Sequence, residues 1–180
     1  MLGIFDLTGQ DDNYYVVFSM GPSFDVKYCF YNEKHVQNAI ETEAQDIACD
    51  FEIYALSLII PGNGNLYSYG HNDTMADTRQ KYTLHGNVLE EVSQPFYYIG
   101  MKSKSVKAQL AYTDESLTSV AFRLTADYSV TVVGFLPKYK NKRSNMDLYL
   151  VASEFGLMGW VPSENLQTES QFEGFYFNGD

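Results

Sequence analysis

Five carboxylates crowd one short stretch, Glu41, Glu43, Asp46, Asp50 and Glu52, and paired carboxylates are the first requirement of glycoside hydrolysis. Such a site needs two carboxyls facing each other across a sugar, about 5 to 10 Å apart, one of them with a raised pKa. Asp50 and Glu52 on one strand face would meet that distance. However, Ile47, Cys49, Phe51 and Ile53 alternate with Ala48, Asp50, Glu52 and Tyr54, which turns the acidic face to solvent. A solvated face is the expectation. Asn63, Asn65, Asn72 and Asp73 could offer oxygen to a hard cation, but the acid spacing of a calcium loop is missing. No nucleophile elbow, phosphate loop or Cys-x-x-Cys occurs, so the residues support no catalytic set, cofactor or metal site.

Cys29 and Cys49 are separated by 19 residues and could close a disulfide, yet a domain with this much apolar core does not need one. Two buried thiols acting as small hydrophobes are favoured. His35, His71 and His85 do not fall at ligand spacing beside either cysteine.

The charge of −11 is unevenly spread. Residues 1 to 95 hold 14 acids against 4 bases, whereas residues 96 to 167 hold 6 against 8. Phosphate backbones demand clustered Lys and Arg, so nucleic acid is not an expected partner; a basic protein would be attracted to the first half. Lys138, Lys140, Lys142 and Arg143 form a basic cluster, read either as a solvated loop or as a contact surface.

The elements that must position these groups read as strands. At 45% hydrophobic and 16% aromatic the chain is too apolar for disorder and rich in strand formers. Tyr14–Met20 and Phe24–Tyr31 flank Gly21-Pro22-Ser23 as a hairpin, with Phe24, Val26, Tyr28 and Phe30 on one half-buried face. Val36, Ile40 and Ala44 sit at helical spacing within Asn32–Ala44. A strand follows from Ile47, a loop at Pro61–Asn65, a short strand at Leu66–Tyr69, and a second hairpin, Lys81–Val92, around His85-Gly86-Asn87. Beyond Ser93-Gln94-Pro95, short strands recur at Phe96–Gly100, Gln109–Tyr112, Val120–Leu124, Ser129–Phe135, Leu148–Ser153 and Leu157–Val161. That spacing argues for a small barrel or sandwich. No run approaches the length of a membrane span, and the start Met1–Leu7 lacks the basic region of a signal peptide.

The segment Leu148–Leu166, with Gly159-Trp160-Val161-Pro162-Ser163 at its centre, resembles the closing strands of bacterial SH3 domains. Gly159 would let two backbones approach, Trp160 would anchor the core, and Pro162 would set the closing turn. Val106–Val133 is similar to the same family's strand, loop, strand and long central strand. Tyr82–Gly100 and the tail Phe172–Asp180 resemble uncharacterised exported proteins of the Bacteroidetes type with a C-terminal SH3-like barrel.

The resemblance implies a mainly β protein: an acidic, Tyr/Phe-rich sheet domain over 1–95, an SH3-like barrel over 96–167, and an aromatic tail over 168–180 packing on the body. It implies a ligand groove of Tyr112, Phe135, Tyr139, Tyr149, Trp160 and Pro162, rimmed by the basic loop of Lys138, Lys140, Lys142 and Arg143. Tyr149-Leu150 stands where eukaryotic proline-peptide readers carry a tryptophan pair, and Asn165 where they carry a tyrosine, so a polyproline ligand is not expected. The bacterial versions often accompany NlpC/P60 peptidases, but this chain has no Cys after Cys49 and no His after His85. The leading expectation is a non-catalytic module that binds cell-wall glycopeptide or an envelope protein outside the cytoplasm if a signal precedes Met1. The alternative is a cytoplasmic acidic interaction protein of the immunity or inhibitor kind. An unrecognised hydrolase is a third.

Overall fold

The computed structural model describes residues 3–20, 26–41, 47–70, 77–163 and 170–175. The chain is mainly β, with fourteen strands and one short helix among the described residues, and every strand pairing given a register is antiparallel. It resolves into two compact units: Met1–Asn72 with Arg79–Ser93 and Asp180, and Asp73–Thr78 with Gln94–Gly179.

In the first unit, β1 (Gly3–Asp6), β2 (Asn13–Met20), β3 (Val26–Asn32) and β4 (Phe51–Tyr54) form a four-stranded sheet in that order. The β2–β3 hairpin runs in register from Tyr14 opposite Asn32 to Met20 opposite Val26, while its turn, with Phe24, lies outside the described residues. Alternation does the rest: Tyr14, Val16 and Phe30 point inward with Ile53, Leu7, Leu66 and Leu84 to form the core. Phe30 and Phe51 stack at 4.7 Å between ring centroids.

Helix α1 (Glu33–Glu41) follows β3 directly. Its buried residue is Ala39, whereas Ile40, one of the residues at helical spacing, is 69% exposed; Ala44 lies outside the described residues. The strand expected from Ile47 is also shorter: the regular ladder begins at Phe51, and before it the Asp50 N–H bonds the Phe30 carbonyl at 2.8 Å. Beyond β4 the chain turns into β5 (Ser57–Ile59), which pairs with β6 (Asn65–Gly70) instead of continuing along β3. Next come β7 (Thr78–His85) and β8 (Val88–Glu91), and the order β5-β6-β7-β8 follows the sequence. Gly86, at φ 59, occupies the first central position of the β7–β8 turn, a left-handed conformation that glycine adopts at no steric cost.

The second unit begins with β9 (Tyr97–Lys104). A hairpin of β10 (Gln109–Tyr112) and β11 (Val120–Leu124) follows, then a meander of β12 (Ser129–Leu136), β13 (Leu148–Ser153) and β14 (Met158–Pro162). β9 pairs with the outer side of β12, and β10 joins β14 where Tyr112 stands opposite Trp160. A bridge between Ser105 and Phe172 brings the last described segment beside the end of β9.

A bulge near Val133 resets the alternation of β12 so that both faces of the meander are apolar. One face carries Val132, Phe135, Tyr149, Val151 and Val161 with Phe172 and Phe175; the other carries Leu136, Leu148, Leu150 and Trp160. Two glycines allow the close approaches. A Cβ at Gly134 would stand 2.3 Å from the Phe96 ring, and one at Gly159 would stand 2.9 Å from Ala111 Cβ and 3.1 Å from Tyr112 O. Among the described residues no helix is long and apolar enough to cross a membrane.

Candidate functional site

The residues expected to line one groove divide into four environments. Phe135 and Tyr149, 3% and 2% exposed, are interior residues and not walls of an open groove. Their rings lie 5.4 Å apart, and Tyr149 also meets Phe172 and Phe175 edge-on at 5.8 and 5.4 Å. Burial raises the Tyr149 pKa far above that of an ordinary tyrosine, only partly offset by the nearby Ser163 hydroxyl, and its own hydroxyl finds no hydrogen bond of good geometry.

Trp160 is covered rather than open. Phe96 packs edge-on against it at 6.0 Å, and Phe96, Leu117 and Val133 close over the cluster of Leu136, Leu148, Leu150 and Trp160. The alternation that makes Trp160 a sheet-face anchor was legible; its cover was not, because Phe96 and Leu117 reach it from distant segments.

Tyr112 and Pro162 are half-buried and do share a recess, a cavity of about 210 Å³ with Gln109, Val161 and Gln171 among its other lining residues. Gln109 and Gln171 join through their amides at 3.1 Å, and the Gln171 amide also donates to the Pro162 carbonyl at 2.9 Å. A wider cleft of about 600 Å³, not anticipated, is lined by Lys102, Lys104, Ser129, Thr131, Ser153 and Glu154 with others.

Tyr139 is the expected groove residue that the structure leaves open, at 69% exposed. It sits in the loop 137–147 between β12 and β13, together with the whole basic cluster. This loop is built, not slack. The buried Asn141 side chain donates to Ser144 Oγ at 2.6 Å and to the Met146 carbonyl at 2.9 Å. Its oxygen accepts the N–H groups of Arg143 and Ser144 at 3.1 and 3.3 Å. At the loop's ends the Lys138 N–H donates to Asp147 Oδ1 at 2.6 Å, and the Ser163 N–H donates to the Asp147 carbonyl at 2.8 Å.

Within the loop, the Tyr139 and Tyr97 hydroxyls bond at 3.0 Å, and Lys140 Nζ lies 4.1 Å from the centroid of the Tyr97 ring. Tyr97 belongs to the core through its ring, so it fastens an exposed aromatic and a cation to rigid sheet. Sequence reasoning missed Tyr97 as a site residue; the signal was there in Tyr97, Ile99 and Met101 alternating inward along β9. Arg143 reaches across to the loop between β10 and β11, pairing with Glu115 at 3.1 Å. That second loop is shaped by Asp114, whose carboxylate accepts the hydroxyl and N–H of Ser116; these donors hold its pKa below the usual aspartate value. Lys138 and Lys142 stay exposed.

The carboxylates of the first unit serve local structure. Asp50, expected to face solvent, has a side chain only 15% exposed; it accepts the Asn32 N–H at 2.6 Å and lies 3.1 Å from His35 Nδ1. Glu52 pairs with Lys27 at 3.1 Å. Glu43 and Asp46 lie outside the described residues, as do His71, Asn72 and Asp73. Comparison of the chain with protein-family models, with curated proteins and with solved structures yields no match.

Proposed function

We propose that the protein is a non-catalytic binding module whose second unit is an SH3-like barrel, presenting the loop 137–147 to acidic or polyanionic material of the cell wall or to an acidic envelope protein. The observation that carries this is the exposed Tyr139 beside a Lys140–Tyr97 stack, with Lys138 and Lys142 in the same ordered loop. An aromatic surface next to fixed cations suits a ligand that offers both apolar faces and negative charge, such as an acidic peptide stem or a teichoic-type chain.

The barrel reading draws support from strand order. One long strand, an inserted hairpin, a three-strand meander and a final short bridge back to the end of the first strand is the succession an SH3-like barrel would give. The loops between β10 and β11 and between β12 and β13, tied by Arg143 and Glu115, would then flank the ligand side. Because Phe96 and Leu117 fill the face around Trp160, a ligand would rest on the loops and not in a deep aromatic slot.

The test is co-sedimentation of the purified chain with isolated cell-wall sacculi at low and high salt. Retention that weakens but persists at high salt is expected for mixed aromatic and ionic contact. A chain left wholly in the supernatant at both salts would overturn wall binding and turn the search to an acidic protein ligand.

A further inference from the structure

In the first unit, Cys29, Cys49 and Glu52 bring two sulfur atoms and a carboxylate oxygen within 4.8 Å of one another. Cys29 and Glu52 stand opposite each other in the β3–β4 ladder, so their side chains share a face. Cys49 arrives from the segment before β4, which is fastened by the Asp50 N–H to the Phe30 carbonyl and by the Asp50 carboxylate to the Asn32 N–H. That anchoring puts the Cys49 sulfur 4.0 Å from Glu52 Oε2. Both cysteines are free.

We infer that Cys29, Cys49 and Glu52 form a three-ligand site for a thiophilic divalent cation, of which Zn²⁺ is the best fit. In a tetrahedral zinc site, bonds of about 2.3 Å to sulfur and about 2.0 to 2.2 Å to oxygen place neighbouring ligand atoms roughly 3.5 to 3.8 Å apart. The Cys49 sulfur and Glu52 oxygen, 4.0 Å apart, are near that spacing, and all three atoms lie within 4.8 Å, so binding draws them inward by about 1 Å or less. Two sulfurs select a soft or borderline ion over calcium or magnesium. Cys29 is buried while Cys49 is half-buried and Glu52 exposed, so one side of the site is open for entry and for a fourth ligand from solvent. As the ion binds, the two thiol protons pass to solvent and Lys27, which now neutralises Glu52 at 3.1 Å, is displaced from it.

The experiment is an anaerobic titration of the reduced full chain with Co²⁺, followed by Zn²⁺. The expected result is a thiolate-to-cobalt charge-transfer band saturating at one ion per chain and abolished by one equivalent of Zn²⁺. Cys49→Ser, at a half-buried position, should lose the band while keeping the far-ultraviolet circular dichroism of the parent, and Glu52→Gln should weaken binding about tenfold or more. A parent chain with no band, or a Cys49→Ser chain with the band intact, would overturn the assignment.

Discussion

The Lys140 ammonium stands 4.1 Å from the centroid of the Tyr97 ring, and the Tyr97 hydroxyl meets that of Tyr139 at 3.0 Å. One core tyrosine thus holds two successive residues of a surface loop. Tyr97→Phe keeps the ring and the cation contact but removes the hydroxyl pair. Stability should fall by about 0.5 to 1.5 kcal/mol, and hydrogen exchange should accelerate at the amides of Lys140 and Asn141 while β12 and β13 stay protected.

Asn141 makes four side-chain bonds inside the same loop. Asn141→Ala leaves the N–H groups of Arg143 and Ser144 and the Met146 carbonyl without that partner, and should cost about 1 to 3 kcal/mol in chemical denaturation. If the proposed function holds, sacculus retention should fall as well, although residue 141 is buried.

Tyr149 separates ring from hydroxyl. Tyr149→Ala empties a site shared by Phe135, Phe172 and Phe175 and should cost about 3 to 5 kcal/mol. Tyr149→Phe discards a buried hydroxyl without a well-formed bond and should be neutral or slightly stabilising in thermal melts.

Gly159 has no room for a side chain, with Tyr112 O at 3.1 Å and Ala111 Cβ at 2.9 Å from where a Cβ would stand. Gly159→Ala should destabilise by about 1 to 3 kcal/mol and loosen the join between β10 and β14, read as earlier exchange at the Tyr112 amide.

The Asp114 pKa lies below its unfolded value because Ser116 donates its hydroxyl and N–H to the carboxylate. The sign follows: this contribution is present above the unfolded aspartate pKa of about 3.9 and is lost as pH falls through the lower folded value. Melting temperatures of the parent and Asp114→Asn should therefore differ at pH 6 and converge in strong acid.

What could be read from residues alone was the set of features that depend on near neighbours. The Tyr14–Met20 strand and its partner follow from period-two patterning, the β7–β8 turn from Gly86, and the tight approach at Gly159 from a glycine beside a tryptophan in a strand. What stayed hidden was set by distant segments. Phe96 and Leu117 cover Trp160, Phe172 and Phe175 enclose Tyr149, and the fastening of Asp50 to β3 carries Cys49 to the side of Cys29 and Glu52. Helical spacing marked α1 but not the residue it buries, Ala39 and not Ile40, since a nine-residue helix is oriented by its neighbours more than by its own pattern.

The central claim, that loop 137–147 is the ligand surface, is tested most directly by comparing sacculus retention of the parent with that of Tyr139→Ala/Lys142→Ala at physiological salt. Both substitutions are at exposed positions; Tyr139→Ala also removes the hydroxyl pair with Tyr97, so the melting temperature should fall about as it does for Tyr97→Phe, which serves as the stability control. The account predicts that the parent pellets and the double variant stays in the supernatant; equal pelleting of the two would contradict it.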